Sequence, residues 1–507
     1  MKLHLKKAAT AAIAAAALTL TACGGSEPQA ASGAGGGTLT LGSLADIQSF
    51  DPAQAHLGHQ MPIYQASYDT LIRRMPEGEL SPMLATDWSY NKDRTELTLD
   101  LRTDVTFSDG TEFDAKAAKA NLDHFLESNG PDAFMAGSID SVSVVDQDTI
   151  DISLKEPDPA MLYYLSQAPG LMGSPKALGT DGIERKPVGS GPYVFDKASS
   201  VTGSQYVFTK SKDYWNPDIQ KFDRVVFKVL PDITARTNAL VSGQIDGVLL
   251  DPKTGKQAEG AGMTLSSYQV DWQGLLLFDR GGEINPALKD VRVRKAINYA
   301  FDRKTILEQM FLGQGTPTTQ VFGPESGAYV EELDKMYPYN PQKAKELLAE
   351  AGYPDGFTLK MPSIPGFDAV LAVVRQQLAD VGITLKLQPV PNANYVADIS
   401  GGKYAAALFQ VFQGEPWVST NVLIAESAIY NPFGSTTPEL QKLIDQVQTG
   451  GEDSAELAKA VNRYVTENAW FAPFYRMDQM YYSNSQITVV PQTQQAVPSI
   501  YNYAPAK

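Results

Sequence analysis

The 507-residue chain holds a single cysteine, Cys23, and that decides how the rest can be held together. With no second sulfur there is no intrachain disulfide, so a body of this size must fold on its hydrophobic core alone. The residues before Cys23 are ordered in a telling way: Lys2, Lys6 and Lys7, an apolar run from Ala8 to Leu20, then Leu20-Thr21-Ala22. A basic start, a short apolar stretch and a small-residue exit read as an export signal, because the apolar run is too short to cross a bilayer as a helix.

The run Leu20-Thr21-Ala22-Cys23 resembles a bacterial lipobox, which implies a signal peptide over 1–22 and a lipid on Cys23 as the first residue of the mature chain. Residues 24–37 read GGSEPQAASGAGGG, with too little apolar surface to fold, so 23–37 forms a flexible tether. As a coil it reaches on the order of 20 Å. The expected location is outside the cytoplasm, anchored by lipid to the outer face of the cell membrane, or periplasmic where a second membrane exists. Losing Lys2, Lys6 and Lys7 with the leader takes the formal net charge from −16 to −19. A surface this acidic excludes nucleic acid as a partner and disfavours anionic headgroups.

The body over 38–507 is long enough for about three structural units and mixes helix with strand. Strand patterns lie at 38–44, at 96–102 where Leu97, Leu99 and Leu101 alternate, and across 141–155 with a hairpin turn at Asp146-Gln147-Asp148. Asn340, Pro341 and Gly352 bracket one helix, and Thr437, Pro438 and Gly450 another. Over 357–390 a strand, a helix from about Asp368 and a second strand make a βαβ unit, so part of the sheet is parallel. Asp114 caps a helix with Ala118, Leu122 and Phe125 on one face. A helix from near Asp290 turns Val293, Ile297, Ala300 and Phe301 inward, and Arg292 and Arg294 outward. Gly189 and Gly191 flank Ser190 in a turn too tight for side chains.

Catalytic patterns are missing from the sequence. It has no phosphate-cradling Gly-Lys-Ser/Thr loop, no Gly-x-Ser-x-Gly elbow, no His-Glu-x-x-His and no cysteine available as a nucleophile. Asp146 and Asp148 read as solvated turn residues. The expectation is a protein that is not an enzyme, uses no cofactor and has no resident metal.

Four stretches carry a family resemblance: 82–125 (PMLATDWSY to NLDHF), 187–195 (PVGSGPYVF), 212–246 (KDYWNPDIQ to SGQID) and 290–307 (DVRVRKAINYAFDRKTIL). In this order the chain resembles the solute-binding proteins of dipeptide, oligopeptide and nickel ABC importers over nearly its whole mature length. The resemblance implies an α/β, two-lobed periplasmic-binding-protein-like fold of type II, in the large cluster with an extra subdomain. Mixed sheets with flanking helices would leave a ligand cleft between the lobes. Carried over, lobe 1 takes 38–270 plus 480–507, with a subdomain over about 51–184, and lobe 2 takes 271–479. The chain would cross the hinge near Gln273-Gly274-Leu275 and return near Asp478. The implied function is capture of short peptides, as a monomer, for delivery to the transmembrane subunits of an ABC permease. A metal chelate or another non-peptide solute such as an oligosaccharide is the alternative, and a surface hydrolase or adhesin is the rival from another class.

In that family the loop after an early Asp-Pro faces the ligand, and here it reads FDPAQAHLGHQMP. It holds His56 and His59, two of the four histidines in the chain, with Gln60 and Met61. Pro62 reads as the first residue of a helix over 63–74, which puts these four residues before a positive helix end that favours an anionic group over a bare cation. Three readings of the histidines stand open: pocket-lining donors, solvated loop residues, or ligands of a metal or metal chelate. Trp272 immediately precedes the hinge crossing. Glu415 and Trp417 lie in FQGEPWVST, where peptide-binding relatives carry an acidic partner for a ligand's amino terminus. The relatives' Asp-Tyr-x-Asp-Pro pattern is absent here, so Glu415 is either that partner or a rim charge. Tyr475, in APFYRMDQMYY, is either a pocket wall or a core tyrosine.

Overall fold

The computed structural model describes residues 36–507; the expected signal peptide, Cys23 and the expected tether up to residue 35 lie outside the described residues. Eight strands follow one another in a mixed sheet: Ala406–Phe412, Thr264–Leu277, Phe471–Ser483, Gly247–Leu250, Thr38–Ser43, Arg224–Val229, Gln205–Lys210 and Tyr193–Phe195. A ninth, Gly315–Pro317, pairs with Phe471–Ser483 off this path. Thr38–Ser43 is parallel to both of its neighbours. The other pairings in this sheet are antiparallel.

Two strands, Thr264–Leu277 and Phe471–Ser483, are far longer than the rest and stay paired from Thr264 opposite Ser483 to Leu276 opposite Phe471. At one end Met480 and Tyr482 pack with Leu240, Val248 and Ala258, under the helices Ile233–Val241 and Pro252–Gly260. At the other end Leu275, Leu277, Ala472 and Phe474 pack with Val293, Ile297, Leu348 and Leu371, on the helices Val291–Tyr299, Pro341–Glu350 and Asp368–Asp380. A third and larger core runs between these two, from Leu39, Phe227 and Tyr481 to Trp272, Leu276, Trp417 and Ile444, so one pair of strands threads all three. Between the two end cores the strand register slips twice, at Gln269/Asp271 and at Gln273/Gly274, and such bulges bend and twist a ladder.

A second sheet of four antiparallel strands joins Ala85–Tyr90, Glu96–Leu101, Thr149–Leu154 and Ile139–Val144. Leu97, Leu99 and Leu101 are buried, as their alternation requires, and Ile139–Val144 folds back on Thr149–Leu154 around Asp146 and Asp148. Asp114 accepts the Ala117 N–H at 2.8 Å and starts the helix Ala115–Glu127, whose Ala118, Leu122 and Phe125 are buried. Asn340 and Thr437 cap the helices Pro341–Glu350 and Pro438–Thr449 through the amides of Lys343 and Leu440. Phe357–Ser363 and Ile383–Pro389 pair in parallel around the helix Asp368–Asp380, the expected βαβ unit. Gly191 donates its N–H to Ser67 O at 2.9 Å, and a Cβ there would lie 2.4 Å from the Ser67 carbonyl carbon.

Two local expectations are corrected. Pro62 is not the first residue of a helix but sits inside Leu57–Ser67, and the chain turns extended at Tyr68, so 72–74 is a strand. One turn into a helix a proline forfeits only one intrahelical bond, here to Gly58, so the helix starts upstream of it. Arg294 is buried rather than outward, its guanidinium donating to the carbonyls of Leu288, Lys289 and Asn468. Arg292 does reach solvent, paired with Asp290.

Candidate functional site

A cavity of about 590 Å³ lies where the two long strands slip register. Val270 and Asp271 from one strand, and Met477, Asp478 and Gln479 from the other, supply its wall. His56 and His59 close one side with Asp132 and Tyr163, and Phe311, Gln410 and Phe412 close the other. Because side chains alternate along a strand, Asp271 faces the cavity while Trp272 turns the opposite way.

The electrostatics are one-sided. Asp132, Asp251, Asp271 and Asp478 line the cavity among the described residues, and no lysine or arginine does. Five glutamines, Gln167, Gln410, Gln479, Gln494 and Gln495, add neutral groups that both donate and accept. Asp251 is engaged in capping the helix Pro252–Gly260, accepting from the amides of Lys253 and Thr254 at 2.9 and 2.8 Å. Asp132 lies 3.2 Å from Nδ1 of His56. Asp271 accepts from Gln410 Nε2 at 2.6 Å, and Asp478 from Gln269 Nε2 at 2.9 Å. Both of these carboxylates thus have side-chain amides as hydrogen-bond partners and, among the described residues, no ion pair. Burial pushes the Asp271 carboxyl up from its ordinary value.

His56 is the N-cap residue of the helix Leu57–Ser67 and His59 lies in its first turn. The hydrogen bond that His56 makes to the Asp132 carboxylate raises its pKa, outweighing partial burial. Desolvation lowers that of His59, reinforced by repulsion from His56 and Arg236. An anion of the protein itself, Asp132, thus stands beside this helix start.

The remaining expected residues scatter. Gln60 ties the helix to Asp46, donating to its carbonyl at 2.7 Å, and Met61 is buried in the core. Trp272 is fully buried against Phe471, and Tyr475 is fully buried with its hydroxyl 2.5 Å from Gln273 Oε1, so both are core residues rather than cavity wall. Glu415 is neither on this wall nor an exposed rim charge. It caps the helix Pro416–Leu423 by accepting the Val418 N–H at 2.8 Å, and desolvation pushes its carboxyl up to about 7. Trp417 lines a different cavity, beside Tyr164 and Tyr430. Sequence reasoning missed the four aspartates and Gln410. Only Asp251, with Pro252 and Thr254 in a capping box, carries a local signal.

The comparisons with known proteins bear on this arrangement. Residues 79–427 match the model for bacterial extracellular solute-binding proteins, family 5 Middle. The chain belongs to that family. This family-5 protein is 31% identical to the glutathione-binding protein GsiB of Escherichia coli over 376 residues, covering 70% of each chain. In fold it matches the structure of HbpA2 from Haemophilus parasuis, with a TM-score of 0.81 and 21% identity over 93% of this chain and 100% of that one. It also matches DppA from Helicobacter pylori in complex with the peptide STSA, with a TM-score of 0.75 and 22% identity over 94% and 99%. The family-5 protein is the solute-binding component of an ABC importer that delivers small solutes or peptides to a permease, and not an enzyme. Among its described residues no three His, Cys, Asp or Glu side chains are grouped to hold a metal ion, and no helix is long and apolar enough to cross a membrane.

Proposed function

We propose that this protein captures short peptides in the cavity at the strand bulges and hands them to its permease as a lipid-anchored monomer held at Cys23. The observation that carries the peptide reading is the pairing of Asp271 and Asp478 with neutral amides alone, which leaves two charges able to receive a ligand's ammonium group. The glutamines suit a peptide backbone, which presents donors and acceptors in turn. His56 and His59 also face the cavity, where ring nitrogens can donate to the carboxylate end. In this reading lobe 1 takes 38–270 plus 480–507, with its subdomain over about 51–184, and lobe 2 takes 271–479; closure bends the two long strands at their bulges. Calorimetry on protein stripped of co-purified solute tests it. Tri-alanine should bind and N-acetyl-tri-alanine should bind at least tenfold more weakly, with a smaller scattering radius in the tri-alanine complex. Equal affinity for the two, or no compaction, would sink the reading.

A metal chelate is the second reading, favoured because His56 and His59 both face the cavity and His59 is held toward its neutral, ligating form. Equimolar nickel bound with submicromolar affinity, and lost when both histidines become alanine, would move the assignment there.

A further inference from the structure

We propose that a second cavity, of about 530 Å³, is a chamber for an aromatic ring, neutral or carrying a protonated amine. Its lining is largely aromatic: Phe134, Tyr164, Trp417 and Tyr430, with Val422 and Ile429. Phe134 stands edge-on to Tyr164 at 6.3 Å between centroids, a geometry that leaves ring faces for a third partner. Phe134 and Ile429 are 54% and 53% exposed, large apolar side chains turned toward an open space rather than a core.

The polar groups set the charge. Asp158, 8% exposed, accepts from Ser138 Oγ at 2.6 Å and from the Ala160 N–H at 2.9 Å, and Glu156 is beside it on the wall. The one lining cation, Lys155, donates to the Gly137 carbonyl at 2.9 Å. Two carboxylates against one engaged ammonium exclude an anionic ring and attract a cationic one, which ring faces also favour.

Two short stretches of chain line both the chamber and the first cavity. Tyr163 lines one and Tyr164 the other, and likewise Met135 and Phe134, so consecutive residues divide between the two spaces. The chamber also spans the chain, with residues 134–164 on one wall and 417–430 on the other, and Gln448 Nε2 donates across to Pro157 O at 3.2 Å. Its occupant is then either a ring-bearing side chain of the solute in the first cavity, which rests on the peptide reading above, or a free aromatic amine, which does not.

Calorimetry on the intact mature protein separates the sources, with Ala-Phe-Ala, Ala-Ala-Ala and 2-phenylethylamine as probes against wild type, Phe134→Ala and Trp417→Leu. Phe134 is on the exposed rim, so its variant keeps the fold even if Trp417→Leu does not. Ala-Phe-Ala at least tenfold tighter than Ala-Ala-Ala, with the preference erased in Phe134→Ala, establishes the peptide source. Binding of 2-phenylethylamine that survives saturation with Ala-Ala-Ala and is lost in Phe134→Ala establishes the free solute. If 2-phenylethylamine binds and neither peptide does, the peptide reading fails and the chamber stands. No ring preference together with no 2-phenylethylamine binding overturns the chamber, as does a ring preference that both variants retain.

Discussion

Asp271 and Gln410 meet as diagonal neighbours on the cavity face of two antiparallel strands, Gln410 Nε2 to Asp271 Oδ2 2.6 Å apart. The charge on Asp271 is met by an amide dipole and no cation, so Asp271→Asn keeps the shape and removes the attraction for an ammonium. Tri-alanine should bind that variant about 10- to 100-fold more weakly, roughly 1.4–2.8 kcal/mol. Its N-acetylated form should be unaffected, and calorimetry on the pair reads the difference directly.

Replacing His56 and His59 together by alanine removes two exposed side chains, so the melting temperature should hold. Peptide affinity should fall by about 1–3 kcal/mol, the scale of losing a hydrogen bond or a partial charge contact. Chelator treatment of the wild type should leave peptide binding unchanged; a chelator effect would favour the metal-chelate reading.

Stability should fall as pH rises from 5 to 8. Burial pushes both Asp69 and Glu415 up to about 7, against ordinary carboxyl values near 4. A raised folded-state pKa means the folded chain holds protons that the unfolded chain has released, so the stabilisation is complete below about 4 and is lost as pH climbs through 7. Thermal melts across this range should show the decline, and Glu415→Gln should flatten it, since an uncharged side chain no longer titrates. An unchanged slope in that variant would place the effect elsewhere.

Cys23→Ala should release an intact body into the medium or periplasm, because one or two acyl chains are what hold a tethered protein to a bilayer. Fractionation by ultracentrifugation measures it. A soluble fraction no larger than wild type would remove the lipid anchor from the proposal.

How far the sequence reveals this molecule depends on whether the cause is local. Asn340, Thr437 and Asp114 cap helices through amides three residues on, and Leu97, Leu99 and Leu101 alternate within one strand, so each is visible in a short window. Pro62 misled because a local preference for helix starts was outweighed by the helix forming a turn earlier. Arg294 misled because charge at helical spacing reads as solvent-facing, while the carbonyls of Leu288 and Lys289, just before its helix, and of Asn468, at the end of another, were waiting for it. The cavity itself was the hardest to foresee. Asp271 and Asp478 meet through the pairing of Thr264–Leu277 with Phe471–Ser483, while Asp132 and Asp251 reach the same cavity from segments off those strands, so no short window holds the set.

The slip between Gln269 and Asp271 leaves Val270 without a register partner on Phe471–Ser483, and Val270, Asp271, Met477 and Asp478 all border the cavity at that point. In the proposed reading, the backbone that would flex when the lobes move is the same backbone that would touch the solute. Such a molecule has no wire between a sensor and a joint, because one short stretch of ladder does both jobs. A substitution there that retunes which solute is preferred should also retune the resting angle of the lobes. On that reading, specificity and motion share one stretch of chain.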